Sequence, residues 1–184
     1  MRSGFTSKAS PKTPKLLDIE GLLAYSARVL AARAQSVSEL RRKLTRRAAK
    51  TGDVDEALRR LKENGYLNDQ RFAESFANWR RDNDGFGKSR VIRDLVARRV
   101  APEAARKAAE KAYAAADETE MIRQFLERKF RGKNLAMLLR EEKHVASAYR
   151  RLRAAGFSAA GSLQALKRHA GLAHLDDLED EQIE

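Results

Sequence analysis

Gly65-Tyr66-Leu67-Asn68-Asp69-Gln70-Arg71-Phe72-Ala73 follows the run Leu61-Lys62-Glu63-Asn64, and its residue types spell the end of one helix and the start of another. Glycine has no Cβ to clash in a left-handed backbone, so Gly65 reads as a helix stop, with Tyr66 placed to fold back on the last turn. Asn68 then offers a side-chain oxygen to the free N–H groups of a new helix, and Phe72 with Ala73 opens the apolar face of that helix. Two helices joined by a short turn, with no strand between them, are what this stretch predicts.

The same punctuation recurs outward from it. Gly156-Phe157 after Leu152-Arg153-Ala154-Ala155 reads as a second glycine stop. Ser36 with Glu39, Asp53 with Glu56 and Asp117 with Glu120 have capping-box spacing, and Pro102 suits a first helical turn, where its missing N–H costs nothing. These signals outline helices near 21–34, 37–50, 54–64, 69–82, 88–99, 102–115, 118–131, 142–155 and 159–170. No segment alternates β-branched or aromatic residues in the strand period. The breaks group the helices into triplets about 48 residues apart, and each second helix carries a similar apolar face: Leu40 and Leu44, then Val91, Ile92 and Leu95, then Val145, Tyr149 and Leu152. The expected fold is all-α, an elongated curved array of three tandem three-helix units spanning 21–68, 69–116 and 117–171. A basic arm over 1–20 is expected to be disordered, and an acidic tail occupies 172–184.

Composition narrows the function. The 184 residues carry 38 Lys plus Arg against 26 Asp plus Glu, a net charge of +12. The first fifteen residues hold +4 and residues 176–184 hold −6, which leaves +14 on the body, a field that attracts polyanions. Nucleic acid, or an assembly containing it, is therefore the leading partner class. Apolar runs fall far short of the roughly 20 residues that span a bilayer, so no membrane partner is expected. With no cysteine there is no disulfide or thiolate chemistry, and the polar basic start does not read as a signal peptide, so a cytoplasmic location is expected.

Candidate catalytic residues do not emerge. His144, His169 and His174 lack a second ligand at metal spacing, and Asp53/Asp55 and Asp117/Glu118 sit at helix starts, where the helix dipole accounts for them. Gly85-Phe86-Gly87-Lys88 has neither a preceding strand nor the phosphate-loop spacing and reads as an inter-helix turn. No catalytic residue, metal or cofactor is assigned. Phe72, Phe76 and Trp79 share one helix face, which suits either a stacking platform for bases or, as the favoured reading, a buried stripe.

The region 37–50 is more informative. On a helical wheel Val37, Leu40, Leu44 and Ala48 cover about 80°, while Arg42, Lys43, Arg46, Arg47 and Lys50 form an acid-free stripe roughly 140° wide. Solvated faces normally interleave both signs, because like charges four residues apart destabilise a helix. An anionic partner at this face is the expectation, with Arg80, Arg81, Lys88, Arg90 and Arg93 as candidates to extend the surface. Arg and Lys without Asn or Gln suit phosphate contact without choice of sequence.

The junction Gly65, Tyr66, Leu67, Asn68, Asp69, Phe72 and Ala73 also resembles the hallmark of the RecX family. Ser38-Glu39-Leu40 with Lys43-Leu44 upstream, and Gly87-Lys88-Ser89-Arg90-Val91-Ile92 with Leu95 and then Leu152 with Gly156-Phe157 downstream, keep that family's order over about residues 22–170. The sequence departs from the pattern at Arg99-Val100, where a glycine is expected before the apolar residue, and over Arg131 to Lys143. The resemblance implies a monomeric, non-catalytic regulator whose partner is the RecA recombinase filament on single-stranded DNA. Such a protein lodges in the filament groove, restrains ATP hydrolysis, strand exchange and filament growth, and binds naked single-stranded DNA only weakly and without sequence preference. A freestanding DNA- or RNA-binding helical module is the alternative that charge and periodicity alone leave open.

Overall fold

The computed structural model describes residues 16–170, which divide after Leu67 into two compact units. The expected arm over 1–15 and the acidic tail lie outside the described residues. Among the described residues ten α-helices form, with tandem three-helix domains as the theme, and the single extended pairing is an isolated parallel bridge between Leu17 and Ala48.

The first unit holds α1 (Ile19–Ala32), α2 (Val37–Thr45) and α3 (Thr51–Glu63). Asp18 caps α1 by accepting from the Gly21 N–H at 2.9 Å, so residues 16–20 are ordered and not part of an arm. Ser36 and Glu39 close the expected capping box on α2. Leu22, Leu40, Leu44, Val54, Leu58 and Leu61 bury completely or nearly so between the three helices. Helix α2 stops at Thr45, five residues before its predicted end. The Leu17 N–H donates to the Arg47 carbonyl at 2.7 Å and the Ala49 N–H to the Leu17 carbonyl at 2.8 Å, which ties Ala48 into the bridge to Leu17. Helix α3 then restarts at Thr51, too early for Asp53 to act as its cap. Asp53 lies inside the first turn, and Glu56 turns to Arg59 and Arg60.

At the end of α3, Gly65 takes φ +70°. The Tyr66 N–H reaches back to the Leu61 carbonyl, so the stop is as expected. The aromatic ring does not fold back, however: Tyr66 is 69% exposed, and Leu67 is the residue that enters the core.

The second unit begins with Asn68 capping α4 (Asp69–Trp79), its Oδ1 accepting from the Arg71 N–H at 2.9 Å. A π-helical turn (Arg80–Asp84), α5 (Lys88–Ala97) and α6 (Pro102–Tyr113) follow, and Pro102 opens α6 as expected. Four buried alanines of α6, Ala105, Ala108, Ala109 and Ala112, let it approach Phe72, Ala73 and Ala77 of α4 closely. Helices α7 (Glu118–Lys129), α8 (Leu135–Leu138), α9 (Glu142–Ala155) and α10 (Ala159–Ala170) surround a further cluster of Ile122, Phe125, Leu126, Leu152, Phe157 and Leu166. Asp117 caps α7, but Glu120 pairs with Arg123 and does not complete a box. The short α8 escaped sequence reading because a single turn has no periodicity to detect.

Helix α9 docks end-on against α5. The Gly87 N–H donates to the Ala155 carbonyl at 2.9 Å and the Ser89 N–H to the Gly156 carbonyl at 3.1 Å, so the free acceptors of one helix end satisfy the free donors of another.

Helices α3, α5 and α9 share one ending, in which the residue after a left-handed position bonds back to the carbonyl five residues earlier: Tyr66 to Leu61, Val100 to Leu95, Phe157 to Leu152. The left-handed position is glycine in two of them and Arg99, at φ +62°, in the third. An L side chain there costs on the order of 1–2 kcal/mol, partly offset by the greater unfolded-state freedom of glycine. Arg99→Gly is therefore expected to stabilise the protein by about 1 kcal/mol. The check is a higher urea midpoint at unchanged slope.

Candidate nucleic-acid interface

The bridge that truncates α2 also redistributes its cations. Arg42 and Lys43 stay on the helix, Arg46 and Arg47 fall on the turn after it, and Lys50 becomes the residue before α3. The acid-free stripe is thus not one continuous helical face. Arg42, Arg46, Arg47 and Lys50 are exposed, and Lys43 is half-buried.

Lys43 and Arg47 instead face α1 across a groove of about 540 Å³ whose walls include Tyr25, Arg28, Arg33 and Gln35. Four cations line it and no carboxylate does. The Arg47 guanidinium lies 4.8 Å from the centre of the Tyr25 ring, a cation–π contact. Arg33 leans toward Glu39 at 3.5 Å. Helix α3 shows the opposite electrostatics. There Arg59 bonds to Glu56 and Glu63, and Arg60 to Glu56 and Glu20, so the signs interleave. The bonds from Arg59 and then Arg60 hold the Glu56 carboxyl down to about 2.

Sequence reasoning missed Tyr25, Arg28, Arg33 and Gln35. Tyr25, Arg28 and Ala32 share one face of α1, but only the chain reversal after Ala32 brings that face opposite Lys43 and Arg47.

The five candidates in the second unit have internal partners. Arg80 pairs with Asp84 at 2.5 Å and Asp94 at 3.0 Å and lies over the rings of Phe76 and Phe86. Arg81 bonds to Asp82 and to the Ala112 carbonyl. Lys88 lies 3.8 Å from Glu110. Arg90 reaches Asp94, and both Arg90 and Arg93 donate to the Ala154 carbonyl at the end of α9, where the helix dipole favours cations. Each of these cations thus has a partner within the protein, with Arg80, Arg81 and Arg90 half-buried and Lys88 and Arg93 exposed. The face of Phe72, Phe76 and Trp79 also splits, with Phe72 buried, Phe76 half-buried and Trp79 54% exposed where α4 gives way to the π-helical turn. Among the described residues no group of three or more His, Cys, Asp or Glu is placed to hold a metal ion, and no helix is long and apolar enough to cross a membrane.

The fold and the groove define a class: an all-helical protein of tandem three-helix domains with a cationic cleft in its first unit. Residues 68–108 match the family model described as RecX, second three-helix domain. A regulatory protein RecX of Trichlorobacter lovleyi is 34% identical over 105 residues, covering 57% of this chain and 68% of its own. That of Herminiimonas arsenicoxydans is 35% identical over 109 residues, 59% of this chain and 70% of its own. The Deinococcus radiodurans protein is 45% identical over a shorter stretch of 87 residues, 46% of this chain and 41% of its own. The crystal structure of RecX from Lactobacillus salivarius superposes with a TM-score of 0.63 at 14% identity, over 84% of this chain and 98% of that one. A second crystal structure, of a regulatory protein RecX, gives 0.62 at 15%, over 82% and 71%. The chain belongs to the RecX family of regulatory proteins.

Proposed function

We propose that this chain binds a RecA recombinase filament assembled on single-stranded DNA and restrains its ATP hydrolysis, strand exchange and growth, tempering recombinational repair and the SOS response. Family membership supports the filament as partner, and the observation that carries the reading is the cluster of exposed Arg42, Arg46, Arg47 and Lys50 beside a groove lined by four cations and no carboxylate. A surface of one sign is suited to a filament cleft that exposes phosphate. The basic residues act as binding groups, and no step of chemistry is required of them.

The test is ATP hydrolysis by the cognate RecA on single-stranded DNA during titration with this protein, beside a naked-DNA binding curve in the same salt. Inhibition below one molecule per recombinase monomer, with naked DNA scarcely occupied, is expected. Inhibition that appears only as the DNA saturates would assign the protein to freestanding nucleic-acid binding. Reversing Arg42 and Arg46 to Glu is expected to weaken inhibition about five- to tenfold, since each removes a phosphate-directed cation, while leaving helical circular dichroism intact. Unchanged inhibition would clear these two residues of the role.

A further inference from the structure

We propose that the groove between α1 and α2 seats single-stranded nucleic acid, with phosphates on Arg28, Lys43 and Arg47 and one unpaired base stacked on Tyr25 beside Gln35. The inference rests on the nucleic-acid half of the function proposed above and names the strand site within it.

Three features of the groove converge on this occupant. Its walls gather four cations without a carboxylate, which complements a phosphate chain. Tyr25 packs in part against the core of the first unit, and the Arg47 guanidinium lies over its ring, 4.8 Å from the centre. A flat base can take that place on the ring while the exposed Arg47 side chain swings to the adjoining phosphate. Gln35 supplies the third feature. Its side chain is 3% exposed, its Nε2 donates to the Arg33 carbonyl at 3.3 Å, and its Oε1 accepts from no donor among the described residues.

A buried acceptor without a donor is costly, and the rim or ring N–H of a base is a donor that a phosphate chain by itself lacks. A duplex keeps its bases stacked and paired and so cannot offer one to Tyr25. The start of α2 is no rival explanation for anion binding, because Ser36 and Glu39 already occupy it.

The experiment measures anisotropy of a fluorescein-labelled oligodeoxycytidylate of about a dozen nucleotides, and of its abasic counterpart, with the full chain and no recombinase present. Arg28→Ala and Lys43→Ala are each expected to weaken binding about three- to tenfold and to lower the slope of log K against log salt by about one. Lys62→Ala, an equal loss of charge on the exposed side of α3, is expected to change neither. Tyr25→Leu should cost about tenfold and Tyr25→Phe little, and the abasic strand should bind several-fold more weakly than the base-bearing one.

Equal effects of Lys62→Ala and the groove variants would overturn the proposal, as would equal binding of the two strands. Displacement of the oligonucleotide by polyglutamate at matched charge would instead identify the groove as a seat for acidic peptide and overturn it too. RecA inhibition by the same variants is read separately. Loss of strand binding with inhibition retained supports the groove and leaves the filament reading standing; loss of neither removes the groove alone.

Discussion

Gly156→Ala is expected to destabilise the unit from Asn68 onward by about 3 kcal/mol or more, whereas Gly65→Ala should cost only about 1 kcal/mol. Both glycines end a helix in the left-handed region, at φ +94° and +70°, and both lose that freedom on substitution. Their surroundings separate them. A Cβ on Gly156 would lie 2.2 Å from the Arg90 backbone nitrogen, whereas a Cβ on Gly65 would meet nothing within 4 Å. Backbone cannot turn aside as a side chain can, so the Gly156 variant must part α9 from α5 and release the Gly87 and Ser89 hydrogen bonds. Urea unfolding of both variants checks the contrast. Equal losses would mean that the α9–α5 contact yields easily and contributes little to stability.

Arg80→Met is the second large effect, with an expected cost of about 2–3 kcal/mol. The guanidinium stands between Asp84 and Asp94 with side-chain exposures of 24%, 27% and 19%, so three charges share a half-dry site. Methionine fills much of the volume but leaves Asp84 without its cation and Asp94 with Arg90 alone, and removal of one partner from such a site exceeds the net worth of the pair. Adding Asp84→Asn and Asp94→Asn should recover most of the loss, a coupling measured by a mutant cycle. A change in stability within about 0.5 kcal/mol, accompanied by lost DNA binding, would instead make Arg80 a contact residue.

Local chemistry explains what was legible in the sequence. Ser36 and Glu39, Asn68, Pro102, Gly65 and Gly156 each act through neighbours a few residues away, and each takes the position its side chain or backbone dictates. Errors arose where distant chain intervened. Leu17 pairs with residues 47–49, shortens α2 and moves Lys50 off its face, an event no helical wheel anticipates. The groove is non-local in the same way: Lys43 was singled out for belonging to a stripe, yet its significance comes from Tyr25, Arg28 and Gln35 on another helix. Arg80 and Arg90 differ, since Asp84 and Asp94 stand four residues after them at a spacing legible in the sequence, and only the Arg80–Asp94 pair needs α5 to meet the π-helical turn. Arg99 is a mixed case, since the missing glycine was visible in the sequence but the left-handed backbone it must tolerate was not.

The end-on meeting of α9 and α5 also bears on where this chain can be cut. A fragment stopped between α6 and α7 would keep every residue of α4 to α6, yet the amides of Gly87 and Ser89 would lose their acceptors and Phe86 would lose the apolar neighbours it shares with Phe157 and its cluster. From Asn68 onward the repeats are no longer interchangeable cassettes, and the smallest piece with its own bonds complete runs through Phe157 and α10.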